Sequence, residues 1–169
     1  KLLTSMAALP PRDARGRTVW VTRERPRIDR IACPWAIRRF IDPVAVFLYV
    51  EAAEVLNVAD RLGATPFDIE GARFGHRGET CSFDSLLMEF GLDSPGLRKL
   101  ATVIRGADTD RHDLAPEAAG LLAASVGLSR MHCDDLAMLE AGMNLYDAFY
   151  RWARDAAAKS QDRPAQVAA

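Results

Sequence analysis

Cysteine is scarce in this chain: three residues among 169, an odd number with no paired spacing. That argues against a disulfide framework and makes a reducing cytoplasm the simpler setting. An excess of either charge is missing as well. The 22 Lys and Arg nearly offset the 23 Asp and Glu, leaving a net charge of −1, so no global field draws the protein to nucleic acid. Long apolar runs are also absent. The longest, such as VAVFLYV at 44–50, fall far short of the ~20 residues that span a bilayer, so no membrane partner is expected. What remains is an ordinary globular composition, 49% hydrophobic and 27% charged, in a chain long enough for one domain with a real core. The first residue is Lys rather than Met, which raises the expectation of a fragment.

Residues 1–16, ending PPRDARG, read as a flexible leader or linker remnant, and residues 159–169 as a disordered tail. The domain is expected over 17–158. TVWVTR (18–23) alternates and is rich in β-branched residues, so it reads as a strand. IDRIACPWAIRRFID (28–42) reads as a helix with Asp29 as a candidate N-cap. Pro34 is tolerated only near a first turn, which moves the expected start of regular helix to about Cys33. AVFLYVE (45–51) suits a buried strand, EVLNVADRLG (54–63) a helix stopped by Gly63, and TPFDIEGARFGHRG (65–78) two short strands around Glu70-Gly71. Helices follow over 82–91, 94–107, 115–129 and 134–160. Ser94 and Pro95 mark one start, and Leu136, Leu139, Met143, Tyr146, Tyr150 and Ala153 form a core stripe on the last. The expected fold is α+β and predominantly helical: a small sheet of three to four short strands packed against about six helices.

Three constellations can carry chemistry. Arg23, Arg25, Arg27 and Arg30 lie where a strand ends and a helix begins, and Arg23 and Arg30 are the best placed to hold an oxyanion with guanidinium forks and helix-start amides. In HRGETCSFD (76–84), Ser82 or Thr80 can cap the following helix, with Asp84 in its first turn. His76, Glu79 and Cys81 then remain as candidate ligands of a divalent metal such as zinc or iron, although H-x2-E-x-C matches no standard finger. A hydrogen-bonded cluster and a reactive thiol at Cys81, its pKa lowered by the helix start, are the competing readings. In RGADTDRHD (105–113), Asp108 or Asp110 can complete a metal shell begun by His76, whereas Asp is also a common cap between helices. His112 and the adjacent His132 and Cys133 are weaker candidates.

The stretches VWVTRERPRIDRIACPWAIRRFIDPVAVFLYV, FGHRGETCSFDSLL, IRGADTDRHDLAPEAAGLLAASVGLSR and LEAGMNLYDAFYRW together resemble the C-terminal domain of the chromate resistance protein ChrB family, from about Val19 to Arg154. HRGETCSFD and DRIA match the stretches that mark the family. Where this chain has Arg105, many members have His, so a ligand at that position is not implied here.

The resemblance implies a chromate-responsive domain of a bacterial resistance protein, acting in regulation of its operon. Three expectations follow. The first is a sensor that binds chromate or a related oxyanion through Arg23 and Arg30, with Cys81 as a redox or catalytic thiol. The second is a metal-dependent centre or enzyme with zinc or iron held by His76, Glu79, Cys81 and Asp108. The third is a dimerising effector domain without chemistry, its long helix forming the homodimer surface and DNA bound only through a missing N-terminal region.

Overall fold

Alternation along TVWVTR separates two cores. In the computed structural model, which describes residues 9–162, strand β1 (Val19–Arg23) lies between β2 (Val46–Val50) and β3 (Thr65–Pro66) in a parallel sheet. Successive side chains of a strand leave opposite faces. Trp20 enters the main core with Ile31 and Trp35 of helix α1 (Asp29–Ala36), while Val21 enters a smaller core with Val55 and Val58 of α2 (Val55–Leu62) and Ala64. The main core is completed by α3 (Ser82–Glu89), α4 (Pro95–Asp108), α5 (Glu117–Met131) and α6 (Asp135–Gln161). The fold is therefore α+β and predominantly helical, as expected, with three strands and six α-helices among the described residues.

Several local signals act as their chemistry dictates. Ser94 Oγ accepts from the Leu97 N–H at 3.3 Å, and Pro95 takes the first position of α4. Gly63 ends α2 at φ 62°, the left-handed conformation that only glycine adopts freely. On α6, Leu139, Met143, Tyr146 and Ala153 are buried as the stripe requires, with Tyr150 half-buried, but Leu136 is exposed. Among the described residues, no helix is long and apolar enough to cross a membrane.

Pro34 does not delay α1. The helix starts at Asp29 and carries the proline inside it. Pro34 has no N–H to offer the carbonyl of Arg30, four residues back. Tyr49 of β2 supplies the donor instead: its hydroxyl reaches that carbonyl at 2.8 Å. The helix then widens into one π turn at Ile37–Ile41 and ends before Pro43. Tyr49→Phe is expected to destabilise the protein by about 1 kcal/mol, the net value of a hydrogen bond whose acceptor is left unmet. Urea unfolding of the variant checks it.

Three expectations need correction. Residues 65–78 form no hairpin. The Glu70-Gly71 turn is present, but β3 is two residues long and pairs parallel with β1, and the returning chain bridges to it in the parallel sense at Phe67–Phe74. Pro66 cannot extend a ladder on both sides, and Phe67 and Phe74 are drawn into the main core beside Trp20. The expected buried strand over 45–51 is an edge strand, with Phe47 buried and its neighbours half-exposed. Asp29 is not an N-cap but the first residue inside α1, and its carboxylate serves another helix.

At the ends, residues 1–8 of the expected leader and 163–169 of the expected tail lie outside the described residues. Arg12 and Thr18 pair across a turn closed by Asp13, so ordered structure begins before residue 17, and α6 runs past 158 to Gln161.

Candidate functional site

The strand order β2-β1-β3 means that the chain leaves β1 for a neighbour on one side and later returns on the other. The crevice beyond the carboxyl ends of such strands is where open α/β sheets bind ligands. Four side chains meet there, brought from four segments. Asp29 opens α1, Asp68 follows β3, His76 comes from the loop before α3, and Asp108 ends α4.

Each is fixed by its surroundings. Asp29 is fully buried and accepts from the backbone N–H groups of Ser82, at 2.6 Å, and Phe83, at 3.3 Å, so a carboxylate of α1 caps α3. Its neighbour Ile28 has φ 41°, a conformation that a β-branched residue adopts only when its surroundings impose it. The Tyr146 hydroxyl donates to the Ile28 carbonyl at 3.2 Å, holding that bend from α6. Asp68 also has a positive φ, 51°, and accepts from Ser82 Oγ at 2.7 Å, Arg23 Nη2 at 3.1 Å and Arg30 Nη1 at 3.2 Å. His76 follows Gly75, where a Cβ would sit 2.8 Å from the Ile69 carbonyl oxygen, so only glycine lets the loop pass this close.

The imidazole is the centre of the group. His76 Nε2 lies 3.0 Å from Asp108 Oδ2, 3.5 Å from Asp29 Oδ2 and 3.5 Å from Asp68 Oδ1. Ligand atoms of Asp29, Asp68 and His76 all fall within 4.8 Å of one another. Contact with Asp29 raises the His76 pKa to about 9, against the opposing effect of burial, with Asp108 and Asp68 adding to the rise. Burial, with the charges of Asp29 and Asp68, lifts Asp108 to about 7. Burial likewise raises Asp29 above the ordinary carboxylate range. Three carboxylates crowd one small space with one imidazole and two guanidiniums to balance them. His76 and Arg23 face a cavity of about 490 Å³, also lined by Asp68, Glu70 and Gly71.

The other sequence-derived candidates fall elsewhere. Glu79 is exposed in the turn between Arg77 and Thr80, apart from the group around His76. Cys81 is fully buried, with its Sγ 3.3 Å from Asp84 Oδ2. Burial raises its thiol pKa, and the Asp29 and Asp84 charges add to the effect, which reverses the expected lowering by the helix start. Cys81, rather than Ser82 or Thr80, is the N-cap residue of α3. Asp84 accepts from its N–H at 3.0 Å and is braced in turn by Arg105. His112 approaches Asp110 on the surface, and Cys133 is exposed beside a different groove.

Sequence reasoning brought His76 and Asp108 into one group and missed Asp29 and Asp68 as partners. A signal for Asp29 was present in the sequence, while Asp68 takes its meaning from the sheet. Asp29 begins the DRIA stretch, and Asp68 is an acidic residue just past the carboxyl end of a strand.

The chain matches the family model described as "ChrB, C-terminal domain" over residues 20–153. It is 40% identical over 141 residues to Protein ChrB of Cupriavidus metallidurans strain CH34, covering 83% of this chain and 42% of that protein. This chain thus spans less than half the length of the relative it matches. No solved structure matches it.

Proposed function

Because the chain belongs to the ChrB C-terminal domain family, we propose that it is the chromate-responsive part of a chromate resistance protein and that it acts through a metal centre of His76, Asp29 and Asp68, with Asp108 beside the imidazole. Regulation of the resistance operon, with DNA bound by residues upstream of this domain, belongs to the same proposal.

One observation carries the metal reading: the spacing of the donors. Metal–ligand bonds of about 2.1 Å place neighbouring donors roughly 3.0 Å apart in an octahedron and roughly 3.4 Å apart in a tetrahedron. His76 Nε2 lies 3.5 Å from Asp29 Oδ2 and 3.5 Å from Asp68 Oδ1, edges of that length, and ligand atoms of these three residues lie within 4.8 Å of one another. The chemistry agrees. Oxygen and imidazole donors without sulfur suit a hard to borderline cation: manganese, iron or zinc, or the trivalent chromium that reduction of chromate leaves. A cation would also neutralise carboxylates that burial otherwise forces to hold protons. A free chromate dianion gains nothing from these carboxylates, which makes the metal the better first ligand.

Titrating metal-free protein with Mn2+, Fe2+ and Zn2+ tests this. One equivalent is expected to bind, with affinity rising between about pH 7 and pH 9 as Asp108 and His76 give up their protons. Without metal the fold should lose stability as pH rises from about 4 to about 9. The folded protein holds the His76 proton above the unfolded pKa of 6.5, so that contribution is complete below 6.5 and lost through about 9. The Asp108 contribution is complete below 3.8 and lost through about 7. Bound metal is expected to reverse the slope. Thermal unfolding at pH 6 and pH 9, with and without metal, reads both effects, and failure of every cation to bind stoichiometrically would end the reading.

A further inference from the structure

Resting on that reading, we propose that metal occupancy converts the same cavity into a receptor for a tetrahedral oxyanion, with Arg23 as the group that holds the anion. Without metal the space is hostile to a dianion. Asp68 and Glu70 stand in its wall, and Asp29 and Asp108 lie behind His76, within 3.5 Å of its Nε2. The two guanidiniums nearest it are engaged, since Arg23 Nη2 and Arg30 Nη1 share Oδ2 of Asp68.

A divalent cation changes the balance in two ways. It adds positive charge among the carboxylates, and it draws on Oδ1 of Asp68, the other oxygen of the carboxylate that holds both arginines. The two arginines are not equally tied. Arg30 is 17% exposed, donates a second bond to the Arg25 carbonyl at 3.2 Å, and buries an Nε–H that finds no acceptor among the described residues. Arg23 is 44% exposed, is the last residue of β1, and lies in the cavity wall. It is the guanidinium free to turn from Asp68 to a new acceptor.

A cation held by the three donors Asp29, Asp68 and His76 keeps one position open in a tetrahedron and three in an octahedron for oxygen ligands. A tetrahedral dianion offers oxygen acceptors only, so one oxygen can take an open position on the metal while others meet the fork of Arg23. The two ligands then bind cooperatively, and by linkage the anion strengthens the metal by the same factor that the metal strengthens the anion.

Calorimetric titration of the whole chain with sulfate, in the absence and presence of saturating Zn2+, tests the coupling with a redox-inert pair. Sulfate is expected to bind at least tenfold more tightly with Zn2+ present, and chromate to show the same gain. Arg23→Ala should abolish most of that gain while still taking up one Zn2+, equally tightly or more so because a competitor for Asp68 is gone. Arg23→Lys, which keeps the charge without the fork, should recover part of it. Sulfate affinity that ignores Zn2+, in protein that binds Zn2+, would overturn this inference and leave the metal centre standing. A gain that survives Arg23→Ala would overturn the role of Arg23, and wild-type protein that takes up no metal would remove both readings.

Discussion

Asp29→Ala is expected to remove about 2–4 kcal/mol of stability from the metal-free protein, and Asp29→Asn about 1 kcal/mol or less. The carboxylate is fully buried and accepts from the first two N–H groups of α3, Ser82 and Phe83. Alanine leaves both donors buried and unmet, each at roughly 1–3 kcal/mol. Relief of repulsion from Asp68 and Asp108 offsets part of the loss, because burial already makes the charge on Asp29 unfavourable. Asparagine keeps one acceptor for Ser82 and gives up the charge. The asparagine variant therefore separates two duties of one side chain. It should stay folded and lose at least tenfold in metal affinity, since a neutral amide is a poor substitute for a carboxylate on a hard cation. Urea unfolding and metal titration of both variants measure the two duties. An alanine variant as stable as the parent would mean that α3 does not depend on α1 for its cap.

The divided role of Asp29 shows why part of this molecule was legible in its sequence and part was not. Alternation placed β1, Ser94 and Pro95 placed the start of α4, and Gly63 placed the end of α2, because each signal is local and each structure it sets is local too. The α6 stripe reads the same way. The group around His76 is not local. Its members stand at 29, 68, 76 and 108, and the strand order and helix packing bring them together. Read locally, Asp29 looks like a cap for its own helix and Asp68 like part of a hairpin. The acidic residue at 68 instead marks the end of a parallel strand, a meaning visible only once β3 is known to lie beside β1. Proximity along the chain misleads in the other direction. Glu79 and Cys81 are close to His76 in sequence, yet the turn at Arg77–Thr80 leaves Glu79 in solvent and the cap of α3 buries Cys81.

That contrast between neighbours in sequence and neighbours in space sets the last expectation. His76→Ala should lower metal affinity more than a hundredfold, whereas Glu79→Ala should leave it within a factor of two. His76 supplies the one nitrogen among the three proposed donors, and its Nε2 is the atom that lies within 3.5 Å of all three carboxylates. Removing a ligand from the centre costs more than the ten- to hundredfold seen for groups one step further out. The imidazole also supplies positive charge to the metal-free protein. Its loss should destabilise the fold most below about pH 6.5, where the folded protein holds the His76 proton in full, and least above about pH 9, where the parent has given that proton up as well. His76→Gln, which refills the volume with a neutral side chain, distinguishes packing from chemistry: it should restore stability at about pH 9, but neither the added stability below about pH 6.5 nor the metal. If Glu79→Ala lost the metal and His76→Ala kept it, the ligands would lie in the 76–84 segment itself, and the convergence of Asp29, Asp68 and Asp108 on His76 would be a buried charge network with a structural role alone.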